Sequence, residues 1–153
     1  MRPLIKLVGY LILLMFSVTS VAENVQFKKT KLKVGDKIIT VELAQTDAEQ
    51  MRGLMFRRVL KENEGMLFIY DDENFRSFWM KNTFVPLSIG FFDGKGRLID
   101  IQDMEPAKST IQVNWPSYTS TGKAKYALEV NQGWFKKNKI KLGDLIAIIP
   151  DKK

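Results

Sequence analysis

From Val25 onward, apolar and polar residues alternate through VQFKKTKLKV, but the phase slips. Val25 and Phe27 fall on odd positions, Leu32 and Val34 on even ones. The slip predicts a bulge or break near Lys28 to Thr30. Gly35-Asp36 follows as a two-residue hairpin turn, with glycine first as a type II′ turn prefers. The return segment KIITVELA sets Ile39, Val41 and Leu43 on one face, Thr40 and Glu42 on the other.

The period then changes. In TDAEQMRGLMFRRVL, Thr46 and Glu49 form a T-x-x-E capping box, Asp47 favours the positive helix end, and Gly53 closes the helix early. NEGMLFIYDDEN reads as a turn, a short apolar strand over Met66–Tyr70 and an acidic loop. FRSFWMKNTFVPLSIGFFD predicts two strands split before Pro86, the second turning through DGKG into RLIDIQDM, where Ile99 and Ile101 share a face. Residues 105–123 read as a long irregular loop with a short strand at TIQV. KYALEV is a strand with Tyr126, Leu128 and Val130 on one side. Asn131 is placed to cap a short helix holding Trp134 and Phe135, and Gly143-Asp144 turns into a last apolar strand stopped by Pro150. Many short strands, tight turns and two small helices predict a mostly β fold: an antiparallel jelly-roll-like sandwich or barrel.

Composition narrows the chemistry. The chain has neither cysteine nor histidine. Ser–His and Cys–His catalysis, thiolate metal sites and ordinary zinc sites are therefore excluded, and the reading assigns no metal and no cofactor. The segment Met1–Ala22 has the form of an export signal: Arg2 and Lys6, an apolar run from Leu7 to Val18, then small Ser20 and Ala22. The uncharged run is shorter than the ~20 residues of a spanning helix. Cleavage between Ala22 and Glu23 is expected, leaving residues 23–153 as one β-rich domain that is periplasmic or secreted. The whole-chain charge of +7, less Arg2 and Lys6, leaves about +5. That balance fits solubility and an acidic envelope surface. No nucleic-acid motif is present, and contact with the membrane is expected only through the signal segment.

Five stretches form a pattern: MRGLMFR, EGMLFIY, FWMKNTFVPL, LEVNQGW and the GD before the last strand. Together they resemble domain-of-unknown-function family 192, small bacterial and archaeal proteins that are often exported. The resemblance runs from about Phe27 to Pro150. It implies a single-domain, jelly-roll-like β sandwich and carries no activity with it. Ser88 stands after PL where many relatives have Asp, so a shared site built on that carboxylate would be missing here.

The candidate site residues are Arg52, Trp79, Lys81, Asn82, Thr83 and Glu129. Within FWMKNT, strand geometry puts Phe78, Met80 and Asn82 on one face and Trp79, Lys81 and Thr83 on the other. Two readings stand. Asn82 and Thr83 are a hydrogen-bonded clip before Pro86, or Trp79, Lys81 and Thr83 form an aromatic and donor platform for a polar ring. Arg52 and Arg57 flank GLMF, and either one is placed to reach Glu129. Met51, Met55, Met66 and Met80 raise copper, but without His or Cys they read as core filling. Asp71, Asp72, Asp100, Asp103 and Glu105 do not match a calcium loop.

The leading functional expectation is an exported, non-catalytic binding or accessory module for a polar small molecule, an envelope polymer or an envelope protein. The alternatives are a carboxylate-based hydrolase acting on cell-wall or carbohydrate substrates, and a structural envelope protein docking through Trp115, Trp134 and Phe135. No catalytic residue is assigned.

Overall fold

The computed structural model describes residues 25–150; the expected signal segment and its cleavage point lie outside them. Nine strands and two short helices follow in the order β1 (Lys28–Val34), β2 (Lys37–Ala44), α1 (Asp47–Arg52), β3 (Glu64–Asn74), β4 (Ser77–Trp79), β5 (Leu87–Phe92), β6 (Leu98–Met104), β7 (Ser117–Thr119), β8 (Ala124–Asn131), α2 (Trp134–Lys137) and β9 (Ile146–Ile149). Seven strands make one sheet, β6-β5-β8-β3-β2-β1-β9, and β4 pairs with β7 in a second, two-stranded sheet. The mostly β class with two short helices is as expected. No described helix is long and apolar enough to cross a membrane.

The sheet is mixed rather than wholly antiparallel. β2 and β3 run parallel, Val41 opposite Gly65 and Leu43 opposite Leu67. Parallel neighbours need a crossover of about a dozen residues or more, and residues 45–63, carrying α1, supply it. Nor is the sheet a closed barrel. Its two edges touch at one corner, where Leu98 N–H donates to Asp144 O at 2.8 Å beside an isolated Arg97–Leu145 bridge, but no ladder develops among the described residues.

Burial explains the sequence pattern. β1 and β2 alternate because one face is covered, with Leu32, Val34, Ile39 and Val41 packed into a first core with Leu128, Val130, Trp134 and Phe135. β5 is buried at all six positions, since the opposite face of β3, β5 and β8 is covered by a second core. Residues on both faces then read as a continuous apolar run. Met66, Phe68, Ile89, Phe91 and Ala127 form the floor of that second core, and Leu54, Met80, Val85 and Phe78 cover it.

Several local expectations change. β1 pairs with β2 in unbroken register from Lys28 to Val34, so no bulge exists there. Thr30 takes the inward position and its hydroxyl donates to Ile149 O at 3.4 Å, which is why an apolar count misses the strand's phase. A register shift instead falls in the β5–β6 pair, where Phe91 faces Asp100 and Phe92 faces Leu98. It sends Ile99 to the second core and Ile101 to the first. The strand expected at TIQV lies later, at Ser117–Thr119, and the acidic DDEN stretch belongs to the exposed end of β3. Asn131 does not cap α2; Gly133 does, at φ 79°, while Asn131 donates to Leu60 O and Lys61 O. Trp134 and Phe135 are core residues and form no exposed docking patch.

Candidate functional site

The site is assembled by three pieces over the second core. α1 is fixed by its own capping box: Thr46 Oγ1 accepts from Glu49 N–H, and the Glu49 carboxylate accepts in return from Thr46 N–H at 2.9 Å. Backbone bonds of this kind hold the Glu49 carboxyl below its ordinary value. Gln50 Nε2 then donates to Ile69 O at 2.9 Å and ties the helix to β3. At Gly53 the chain turns away with φ 45°, a backbone conformation that side chains rarely adopt, while a Cβ there would meet the Phe68 ring only at ordinary contact distance.

The second piece is the turn after β4. The strand ends at Trp79, and Thr83 N–H donates to Met80 O at 3.1 Å. Asn82 lies in the left-handed region at φ 53°, which asparagine tolerates better than most residues. Its carbonyl accepts from Phe56 N–H at 2.7 Å, and Thr83 O accepts from Ala107 N–H at 2.7 Å. These two bonds join the α1 segment and the 105–116 loop to the β4 turn.

Between these pieces and the third, the face of β3 and β8, lies a cavity of about 100 Å³, lined by residues that include Gln50, Arg52, Phe68, Tyr70, Phe78, Trp79, Thr83 and Glu129. Glu129 comes from the middle of the sheet, opposite Met66 on β3 and Ile89 on β5. It is only 5% exposed. Among the described residues, no hydrogen bond or ion pair reaches its carboxyl. Burial pushes that carboxyl up to about 8, so the acid is largely protonated at neutral pH. Tyr70, on the same wall, is pushed up to about 12, first by burial; nearby Glu129 adds to the rise, and Arg76, 3.9 Å above the Tyr70 ring, opposes it.

Four of the six candidate residues therefore meet: Arg52, Trp79, Thr83 and Glu129 line one cavity. Lys81 and Asn82 do not line it. Lys81 points outward with its ammonium 5.3 Å from the Trp79 ring, and Asn82 acts through its backbone. The expected sharing of faces fails because the strand stops at Trp79: Thr83 is buried with Met80, while Trp79 is 52% exposed. The expected Arg–Glu129 pair is also absent among the described residues. Arg52 sits 5.0 Å from the Phe56 ring, and Arg57 pairs with Glu42 on β2.

Sequence reasoning missed Phe68, Tyr70 and Phe78 as cavity walls, because their runs read simply as apolar strands. Met51 and Met55 line the same cavity, whereas Met66 and Met80 lie in the core beneath. Ser88 lies on the other side of the sheet, beside Val130 in register, with its hydroxyl contacting Asp103 and accepting from Gly133 N–H at 2.8 Å. Ser88 is thus not part of this cavity.

Two solved structures share the architecture. A protein from Sinorhizobium meliloti 1021, titled a candidate transcription regulator, aligns with a TM-score of 0.73 at 27% identity, over 81% of this chain and 96% of its own. A protein of unknown function from Novosphingobium aromaticivorans DSM 12444 aligns with a TM-score of 0.65 at 30% identity, over 83% and 89%. No curated protein matches the chain. The family match covers residues 27–148, to the family described as Uncharacterized ACR, and on that extent the chain belongs to the DUF192 family.

Proposed function

We propose that this chain is a non-catalytic binding module whose ligand inserts a small polar group into the cavity beneath α1, in the cell envelope to which the Met1–Ala22 segment would direct it. One observation carries the reading: the Glu129 carboxyl faces the cavity with no partner among the described residues. Its oxygens keep contact with the open cavity space, since Trp134 Nε1 is the one fully buried side-chain polar atom without a partner among the described residues. A ligand would therefore put a direct partner where solvent reaches the carboxyl. Phe68, Phe78 and Trp79 supply apolar contact, and Tyr70 and Thr83, the latter with its hydroxyl donating to Lys81 O, complete the same walls. A hydrolase of the two-carboxylate kind gains no support, since Glu129 is the single carboxylate among the residues lining the cavity.

The test is native mass spectrometry of the chain expressed with its Met1–Ala22 segment and recovered from the periplasm. Expected results are a polypeptide beginning at Glu23 and a bound mass that disappears in Trp79→Ala without a fall in melting temperature. A bound mass indifferent to Trp79→Ala would remove the cavity from the argument. A recovered chain retaining Met1–Ala22 would overturn the cleavage, and absence of the chain from the periplasm would overturn the export reading.

A further inference from the structure

We propose that the ligand group entering this cavity is an organic ammonium, a primary or methylated amine, which ion-pairs with the Glu129 carboxylate and lies among the surrounding aromatic rings. The inference rests on the reading of the cavity as a ligand site and specifies the chemistry of its occupant.

The strongest reason is a buried carboxyl with no ion-pair partner among the described residues. Glu129 is 5% exposed in the middle of a sheet, and among the described residues no arginine pairs with it, although Arg52 lines the rim of the same cavity. Arg52 lies over Phe56, Arg57 is held by Glu42, and Arg76 contacts Asp72 and the Ala124 carbonyl. A buried acid left without a cation is a place for a cation to enter. The walls agree. Phe68, Phe78, Tyr70 and Trp79 line the same space, and aromatic faces attract ammonium groups that have shed their water. Trp79 already does so at the rim, where the Lys81 ammonium sits 5.3 Å from its ring.

Size limits what enters. A cavity of about 100 Å³ is well below the roughly 300–1,000 Å³ of a site that swallows a whole drug-sized ligand. It admits a head group of a few heavy atoms. The remainder would lie outward along the adjoining groove of about 510 Å³, which shares Arg52, Gly53 and Met55 with the cavity.

Binding makes and breaks no covalent bond except one O–H. The Glu129 carboxyl gives its proton to water, and the carboxylate then pairs with the incoming N–H or N-methyl cation. The charged and titratable groups facing it are few. Tyr70 from β3 stays neutral well above neutral pH, Arg52 from the α1 end is solvated at the rim, Arg76 acts across the Tyr70 ring, and Lys81 lies across Trp79. The β5 neighbour in register is Ile89. Glu129 itself is therefore the group that titrates in the window of interest, from a value of about 8. Affinity for a fixed cation should rise about tenfold from pH 6 to 7, about fivefold from 7 to 8, and level off above.

Isothermal titration of the recovered chain with n-butylammonium, tetramethylammonium, butyramide and butyrate, at pH 6, 7, 8 and 9, decides the matter. The expected result is binding of one or both ammonium probes, tightening with that pH profile and releasing nearly one proton at pH 7. Glu129→Gln should weaken it at least tenfold at pH 8 and abolish the pH dependence. Butyramide or butyrate binding in preference to the ammonium probes would overturn the ammonium assignment while leaving the cavity as a ligand site. Failure of all four at millimolar concentration would overturn both. Ammonium binding that is flat from pH 6 to 9 in the wild-type chain would overturn the assignment to Glu129, whether or not the variant folds.

Discussion

Replacing Glu129 by glutamine should make the protein markedly less sensitive to alkali, and the size of the effect follows from where the carboxyl sits. In the unfolded chain it ionises near its ordinary 4.5; in the folded protein burial raises that to about 8. The folded state then binds more protons than the unfolded state anywhere between those values. Stability contributed by this group is full below 4.5, falls as pH rises, and stops falling above about 8. Between pH 5 and pH 8 the loss integrates to about 3–4 kcal/mol, using 1.36 kcal/mol per unit. Solvent screening discounts little of this, because the residue is 5% exposed. Glutamine has nearly the same shape and does not titrate. Urea unfolding of wild type and Glu129→Gln across pH 5 to 9 cancels the contribution of every other carboxylate when the two curves are subtracted. The difference should grow in favour of the variant by about 3–4 kcal/mol from pH 5 to 8. A difference independent of pH would refute the argument, showing that the carboxyl is hydrated or paired in solution.

Two further substitutions test how the site is built. Asn82→Ala should destabilise by about 1 kcal/mol because alanine is strained at φ 53°, whereas Asn82→Gly should stay within about 0.5 kcal/mol, since the link to Phe56 uses the carbonyl. Equal losses in urea unfolding for both would instead show that the amide side chain holds the turn. Gly65→Ala should cost about 2 kcal/mol or more, because a Cβ there would lie 2.5 Å from the Glu129 backbone oxygen, which cannot swing aside. A melting temperature unchanged in Gly65→Ala would mean that β3 and β8 do not approach so closely beneath the cavity.

What could be read from the chain alone was whatever is decided within a few residues. The Thr46–Glu49 capping box closes over three positions, Gly35 sets a turn between adjacent strands, and β8 shows its faces by simple alternation. Such features depend on local dihedrals and on period, so they survive any tertiary arrangement. Even there, one polar inward residue at Thr30 and one register shift beside Ile99 were enough to mislead the alternation, because each is decided by a neighbouring strand. The candidate site was legible in part. Trp79, Thr83, Arg52 and Glu129 carry side chains whose chemistry is conspicuous in otherwise apolar stretches.

Only the tertiary structure decided how they combine. The parallel pairing of β2 with β3 and the separate β4–β7 sheet are contacts between residues far apart in the chain, and no local signal specifies them. They determine that Phe68, Tyr70 and Phe78 surround Glu129, and that Arg52 and Arg57 do not reach it. Sequence told us that a carboxylate sits in strand β8. Whether it is solvated, paired or left alone depends on the dielectric and the partners that folding brings to it, and here folding brings aromatic rings and an opening but, among the described residues, no ion-pair partner.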